Sequence, residues 1–285
     1  MRYLLLLAIV LVSLCAGLPE IPFINPGNAT VQKAGMVIID EESPDVFITA
    51  EAIPTEVKAG RNVNIYFELR NKNNFDLKNV SLLVYDSCIF TGETEKNIDA
   101  LKANRSVQWS LKLTAGSTDL DKNCNVKFRV KYDAEYSMFQ DIAVLTQSEY
   151  EQREVSGTLN NIPIQSSFPE TPLRISLSFS DTQPFINNEN YYMNLDYYNK
   201  GNGFIEVEKE NITIKTSSNI KDFSCNDYND LALNRSLKFI ENRAAGSTCS
   251  FTTVAAQPLD IKSLTITARY KYMLDNSILI KVKRA

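Results

Sequence analysis

Cys88, Cys124, Cys225 and Cys249 carry the most readily assigned chemistry in this sequence. Four thiols can be joined into disulfides in three ways. Two lie in each half of the chain, and pairing Cys88 with Cys124 and Cys225 with Cys249 requires only that each half fold by itself. These pairs are separated by 36 and 24 positions, and loop-closure entropy gives each bridge roughly 3 to 4 kcal/mol. A four-thiolate metal site is disfavoured, because no Cys-x-x-Cys pair occurs.

Oxygen-bearing side chains offer a second chemistry. Asp and Glu number 34 together, so carboxylate pairs of the kind used in glycoside hydrolysis exist by number alone. No motif sets two of them in a cleft. Glu206, Glu208 and Glu210 alternate with Val207 as on the wet face of an edge strand. Asp119-x-Asp121-x-Asn123-x-Asn125 imitates the start of a calcium loop, yet it lacks the central glycine, and Val130 stands where the bidentate glutamate belongs. A solvated acidic turn is the reading there and at Asn226-Asp227-Tyr228-Asn229-Asp230. Histidine is absent, which excludes Ser-His-Asp and Cys-His catalysis, His-ligated metals and the usual physiological pH switch. Neither a metal nor a cofactor is expected.

Tyr191, Tyr192, Tyr197 and Tyr198 could form an aromatic platform. Strand alternation puts Tyr191 and Tyr197 on one face and Tyr192 and Tyr198 on the other, so with one pair in the core, Tyr192 and Tyr198 become the ligand-platform candidates. Asn-x-Ser/Thr sequons for glycan attachment occur at Asn28, Asn79, Asn104, Asn211 and Asn234. The richness in Asn, Ser and Thr makes such sequons common by chance. Asn104 and Asn234 stand out because they occupy equivalent turns before a strand, where local turn capping competes with glycan attachment.

The elements that position these residues begin with an export signal. Met1-Arg2-Tyr3 supplies a positive charge, Leu4 to Leu14 is apolar except for Ser13, and Cys15-Ala16-Gly17 follows, the layout of a secretory signal peptide over residues 1–17. The run is short for a membrane span, which needs about 20 apolar residues. Val12-Ser13-Leu14-Cys15 resembles a lipobox in which Cys15 would be lipidated, although Leu14 departs from the small residue that pattern wants. Ordinary cleavage that discards Cys15 is the competing and preferred reading. The expected location is therefore extracellular or at the cell surface, with membrane attachment only through an N-terminal lipid. A net charge of -4 gives no basic surface for nucleic acid.

Period-2 alternation dominates the mature chain, as in Val63-x-Ile65-x-Phe67-x-Leu69, Val107-x-Trp109-x-Leu111-x-Leu113, Val126-x-Phe128-x-Val130-x-Tyr132, Ile175-x-Leu177-x-Phe179, Tyr191-x-Met193-x-Leu195-x-Tyr197, Leu264-x-Ile266-x-Ala268-x-Tyr270 and Ile278-x-Ile280-x-Val282. These are half-buried strands, and no window carries a 3.6-residue stripe. The halves also repeat each other. Leu101 to Ser106 and Ala115 to Thr118 recur as Leu231 to Ser236 and Ala245 to Thr248, shifted by 130 (234 − 104 and 245 − 115). Asn71-Lys72 recurs as Asn199-Lys200, shifted by 128 (199 − 71), and Arg129-x-Lys131-Tyr132 as Arg269-x-Lys271-Tyr272, shifted by 140 (269 − 129). A tandem duplication of one domain explains these ordered matches.

Pro54-Thr55-Glu56-Val57-Lys58-Ala59-Gly60, the alternating strand after it, Arg70-Asn71-Lys72-Asn73-Asn74 and Val80-Ser81-Leu82-Leu83-Val84-Tyr85 resemble the opening half of CARDB-type and related immunoglobulin-like domains of prokaryotic, notably archaeal, cell-surface proteins. The stretch from Tyr191 to Ile214 around Asn199-Lys200-Gly201-Asn202-Gly203 is similar. In that family an Asn-x-Gly turn joins two core strands, and here the first copy has Asn73 where glycine is usual. The resemblance implies a β-sandwich and a surface setting, and it transfers no catalytic residue.

The expected organisation is all-β: a signal peptide (1–17), an extended arm (18–43) whose Met36-Val37-Ile38-Ile39 segment suits a sheet edge, an immunoglobulin-like sandwich (44–147), a linker or extra edge strand (148–167) and a second sandwich (168–285). The expected function is a secreted or surface-anchored, non-enzymatic structural or adhesive protein, monomeric, that binds a surface protein or a polysaccharide. The alternatives are a carbohydrate-binding module or carbohydrate-active enzyme, and a subunit of a surface filament assembled through the arm.

Overall fold

The computed structural model describes residues 46–285 and the backbone of 36–39; the signal peptide, Cys15, Asn28 and the rest of the arm lie outside the described residues. The first half contributes β1 (Met36–Ile39), β2 (Val46–Ile53), β3 (Glu56–Lys58), β4 (Asn62–Asn71), β5 (Leu77–Asp86), β6 (Phe90–Gly92), β7 (Glu95–Leu101), β8 (Ser106–Ala115) and β9 (Lys122–Leu145). Helix α1 (Gln147–Ser156) follows. The second half contributes β10 (Ser166–Ser167), β11 (Leu173–Phe179), β12 (Phe185–Ile186), β13 (Asn190–Asn199), β14 (Phe204–Glu206), β15 (Ile212–Lys215), β16 (Ile220–Cys225), β17 (Tyr228–Asn229), β18 (Ala232–Leu233), β19 (Arg243–Thr253) and β20 (Leu259–Lys283). The described residues are all-β apart from α1 and one turn of 3-10 helix at Leu159–Asn161.

Three sheets result. The first has the order β1-β2-β4-β8-β6, the second β11-β13-β19-β16, and a central sheet runs β17-β18-β15-β20-β9-β5-β7. The arm segment β1 lies antiparallel to β2, with Met36 opposite Glu51 and Ile39 opposite Ile48.

The centre of the molecule is the ribbon of β9 and β20. They pair antiparallel along their length, from Leu259 opposite Leu145 to Val282 opposite Lys122. The alternation at Leu264 to Tyr270 and at Ile278 to Val282, which reads in the sequence as two strands, belongs to one strand of 25 residues. Asp275-Asn276-Ser277 interrupts the apolar pattern without turning the chain, because Asp275 faces Arg129 across the ribbon.

Along β9 the even-numbered residues from Cys124 to Met138 are buried, as are Leu264, Ile266, Ala268, Tyr270, Tyr272, Leu274, Ile278, Ile280 and Val282 of β20. A pleat of period two puts them on one face. The first sheet packs on this face at one end, where Phe67 of β4 meets Phe128 edge-on at 4.9 Å. The second sheet packs on it at the other end, where Tyr136 Oη donates to Leu173 O at 2.7 Å. One continuous core therefore passes under both smaller sheets. Strand β9 of the first half and β20 of the second are neighbours in the central sheet, so the two halves are successive in sequence and share one sheet in space.

The segment read as a linker or extra edge strand contains helix α1. Helix α1 buries none of its own residues, so no apolar stripe announces it. Local pairs hold it instead: Gln147 Nε2 donates to Glu151 Oε1 at 2.7 Å and Arg153 Nε to Glu149 Oε1 at 2.7 Å, both at i, i+4 spacing. Gly157 ends it at φ 68°, donating its N–H to the last turn. Half-buried Tyr150 and Leu159 cover a small second cluster of Ala143, Leu145 and Ile162 on the reverse face of the ribbon. The other part of that expectation, an edge strand, has a counterpart in β10, where Ser166 pairs with Gln140.

Candidate functional site

The two tyrosines singled out as a ligand platform sit on β13. Tyr191 and Tyr197 point inward: Tyr197 is fully buried, and Tyr191 packs against Phe185 at 4.4 Å between ring centroids. Tyr192 and Tyr198 point outward, with Tyr192 56% exposed. Six residues of extended chain separate them by about 20 Å, so they make two features rather than one platform.

Tyr198 is clamped. Lys200 Nζ lies 5.4 Å from its ring centroid and the Arg243 guanidinium 5.6 Å, while Arg243 Nη2 also bonds Asp196 Oδ1 at 2.8 Å. Its faces therefore serve cation–π contacts. Tyr192 instead stands at the edge of a flat polar field. Cross-strand register sets Ser250 beside it, and Asn194 between Ser178 and Thr248. Thr248 Oγ1 donates to Asn194 Oδ1 at 3.0 Å, and Thr252 Oγ1 to Asn190 Oδ1 at 2.7 Å. An exposed ring bordered by hydroxyls and amides suits stacking on a sugar or on a peptide side chain. Sequence reasoning found Tyr192 but missed Arg243, Asn194 and Ser250, since their place beside the tyrosines depends on strand register.

The cysteines are bonded as Cys88–Cys124 and Cys225–Cys249. The two bridges differ in kind: Cys124 is on the central sheet and Cys88 in the loop before β6, whereas Cys225 and Cys249 are directly opposite on neighbouring strands. Of the sequons, Asn79, Asn104 and Asn234 are exposed and Asn211 is half-buried. Asn79 Nδ2 donates to Asp133 Oδ2 at 2.6 Å, and Asn79 and Asn104 have φ of 50° and 55°, the left-handed conformation that asparagine tolerates in turns.

The acidic runs are absorbed by neighbours. Asp121 accepts the Arg284 N–H and pairs with Lys283 Nζ at 3.0 Å, so its carboxyl is held below the usual range. Asp227 pairs with Arg235 at 3.1 Å and accepts from Ser247 Oγ. Glu208 pairs with Lys271 at 3.2 Å. Among the described residues no cluster of three His, Cys, Asp or Glu side chains could hold a metal ion.

Two shallow grooves accompany the sheets. One, of about 470 Å³, lies between the halves and includes Phe75, Asp76, Lys78, Glu135, Tyr136 and Pro169 in its lining. Its acids are both paired: Asp76 accepts from Lys102 Nζ at 2.7 Å and from the Ala103 N–H, which together lower its pKa, and Glu135 lies 3.3 Å from Arg269 and 3.7 Å from Lys78. A general acid needs its pKa raised toward neutrality, and Asp76 is shifted the opposite way. The second groove, of about 430 Å³, runs beside the Cys225 bridge past Lys221, Asp222, Tyr228 and Asp230.

No protein-family model matches the chain, and no curated protein matches it. Among solved structures, the secreted serine protease VesC from Vibrio cholerae is similar at 13% identity and a TM-score of 0.21, over 76% of this chain and 48% of that one. Escherichia coli alpha-2-macroglobulin activated by porcine elastase is similar at 9% identity and a TM-score of 0.23, over 86% and 22%. The N-terminal periplasmic domain of ScsB from Proteus mirabilis is similar at 10% identity and a TM-score of 0.20, over 88% and 96%. This chain spans about half the length of the first of these and less than a quarter of the second. Likeness at these TM-scores carries no argument about fold or activity.

Proposed function

We propose that this is an exported, non-enzymatic surface protein in which two immunoglobulin-like sandwich units, of the CARDB-type kind resembled by the sequence, form a rigid structural or adhesive module. The observation that carries the reading is the β9–β20 ribbon, whose 24 residue pairs run beneath both smaller sheets. Two sandwiches strung on a flexible linker bend freely, whereas two that share strands cannot move apart without breaking backbone ladders and the core. Such stiffness suits a stalk or adhesin that presents a face at a fixed distance from its anchor. Two disulfides are consistent with an oxidising compartment, and no helix among the described residues is long and apolar enough to cross a membrane.

The presented face in this reading is the outer side of the second sheet around Tyr192, and the ligand is a polysaccharide or a surface protein. Binding of the purified mature protein to isolated cell envelopes and to insoluble polysaccharides tests it. Tyr192→Ala is expected to weaken binding at least tenfold, while Tyr66→Ala, which removes another exposed tyrosine from the first sheet, leaves it unchanged. Equal binding by both variants and the parent protein would reject the face, and turnover of a polysaccharide by the parent would reject the non-enzymatic reading.

A further inference from the structure

The sheet edges of this protein are unequally defended. Edge strands expose unpaired N–H and C=O groups, and folded proteins protect them by shortness, charge, bulges or a covering segment. Here β6 has three residues and β17 two. Strand β7 carries Glu95, Lys96 and Asp99. Strand β16 is irregular between Lys221 and Ser224, with Asp222 at φ 51°. The edge of β2 is covered by β1.

Strand β11 has only one of these defences, the single charge of Arg174 near its start. It is seven residues long, Leu173-Arg174-Ile175-Ser176-Leu177-Ser178-Phe179, pairs without a bulge, and among the described residues pairs only with β13. The internal repeat sharpens the contrast. Val46 of β2 lies opposite Asn71, and Leu173 of β11 lies opposite Asn199, so β2 and β11 are equivalent strands. The first edge carries β1, and among the described residues the second carries no strand. Leu177 and Phe179 point inward yet remain half-exposed, whereas Met193 and Leu195 on the adjacent β13 are buried.

The direction of the free backbone groups follows from the ladder. Ser180 N donates to Tyr192 O and Lys200 N to Pro172 O, so the even-numbered residues of β11 bond to β13 and the odd-numbered ones face outward. Leu173 O is already taken, by Tyr136 Oη and Thr171 Oγ1. Ile175, Leu177 and Phe179 remain, three N–H and three C=O groups in a row.

We propose that β11 is a self-association edge, pairing antiparallel with β11 of a second copy about a two-fold axis at Leu177. In that register Leu177 faces Leu177 of the second copy, and Ile175 faces Phe179 of the second copy on both sides of the axis. All six outward groups are then bonded. Ser176 falls opposite Ser178 of the second copy on the outer face, so the flat polar surface continues across the junction. Arg174 falls opposite Ser180 of the second copy and next to its Asp181, both exposed, so opposite charges meet at each end and like charges nowhere. A second copy is favoured over an exchanged N-terminal strand on edge accounting: the two-fold pairing covers two open edges and uncovers none, whereas moving β1 onto another chain's β11 strips β2. The result is a dimer with a continuous eight-stranded outer sheet, in place of the monomer expected from the sequence.

The mature full-length protein tests this by sedimentation velocity from about 1 µM to about 200 µM. A reversible dimer is expected. Ser176→Lys with Ser178→Lys sets lysines opposite each other across the axis, and is expected to weaken the dimer at least tenfold with the circular dichroism and melting temperature unchanged. Leu177→Cys is expected to give a disulfide-linked dimer on mild oxidation, since directly opposed bonded residues have Cα atoms about 5.5 Å apart. A protein monomeric across the range overturns the proposal, as does a dimer indifferent to the two lysines. A dimer that survives them and dissociates with Ile38→Pro assigns the contact to the N-terminal strand, which also overturns it.

Discussion

Tyr132 and Tyr272 stand directly opposite each other at the middle of the β9–β20 ribbon, their ring centroids 5.4 Å apart. Each closes an Arg-x-Lys-Tyr motif, and the motifs are related by the internal repeat. A pair of repeat-related residues facing one another marks a local two-fold axis, so the two halves are arranged as the subunits of a dimer are. The neighbouring charges obey the same relation. Arg129 pairs with Asp275, and Arg269 pairs with Glu135; exchanging the halves by 140 positions turns the first pair into the second (129 + 140 = 269 and 275 − 140 = 135).

The two ion pairs therefore form an internal comparison of one interaction in two settings. Arg129 holds Asp275 through both Nε and Nη2, with the side chains 34% and 27% exposed. Arg269 reaches Glu135 at 3.3 Å, with exposures of 62% and 39%. A two-pronged, half-buried pair couples more strongly than a solvated one. Double-mutant cycles in urea are expected to give about 1 kcal/mol for Arg129 with Asp275 and a few tenths for Arg269 with Glu135. Equal coupling energies would show that exposure does not set the difference.

Asn71 and Asn199 provide a second repeat-related comparison. In each, Nδ2 donates to the carbonyl four residues on, Phe75 or Gly203, at 2.8 Å, and Oδ1 accepts the N–H two residues on, Asn73 or Gly201. Asn71 additionally donates to Leu101 O and Lys102 O at 3.2 Å. Removing a buried donor leaves its acceptors desolvated and unpaired. Asn71→Ala is expected to lower stability by about 2 to 3 kcal/mol and Asn199→Ala by about 1 to 2 kcal/mol. The reverse order in chemical denaturation would contradict the hydrogen-bond arrangement.

These two loops also show what was legible in the sequence. The Asn-Lys repeat was visible, but the reason for glycine in only one copy was not. A Cβ on Gly201 would collide with the Tyr272 hydroxyl, and one on Gly203 with Met273 O and the Tyr272 ring, a contact across 70 positions that no local pattern encodes. Strand interiors such as Val63 to Leu69 and Val126 to Tyr132 were readable because one buried face imposes a period of two. The sharing of β9 and β20 between halves was not, since alternation gives the face of a strand and not its neighbour. Helix α1 escaped because it contributes no stripe to the core. Tyr192 was legible as outward-facing, whereas the field around it comes from the pairing of β13 with β11 and β19.

The disulfides differ in what they constrain. Cys88–Cys124 closes 36 positions and ties a loop to the central sheet; Cys225–Cys249 closes 24 positions between strands already adjacent. Loop entropy alone separates them by only about 0.4 kcal/mol. Replacing either pair by serine is expected to cost about 3 to 4 kcal/mol, slightly more for Cys88 and Cys124. Urea midpoints of the two double variants check this. Losses well under 1 kcal/mol would show that the ribbon, not the bridges, fixes these segments in the unfolded ensemble as well.

The dependence of stability on pH is set by groups whose pKa values folding moves in opposite directions. Asp76, Asp86 and Asp121 are lowered from 3.8, by bonds from Lys102, Lys127 and the Arg284 N–H respectively. Their contribution is present above that value and lost as the pH falls. Burial raises Tyr136, Tyr197 and Tyr228 above 10.0. A folded-state pKa above the unfolded one means stability fully present below 10.0 and lost as the pH rises further. Tyr197 and Tyr228 bond each other at 2.9 Å, and Tyr197 also meets Ser247 Oγ at 3.0 Å, so a phenolate there forms in a sealed hydroxyl chain. The expected outcome is cooperative alkaline unfolding, in which phenolate absorbance from these three tyrosines appears together with loss of the near-ultraviolet circular dichroism. Reversible ionisation of every tyrosine of the mature protein with the folded spectrum intact would show that the three hydroxyls are open to solvent, and Tyr197→Phe should then leave alkaline stability unchanged.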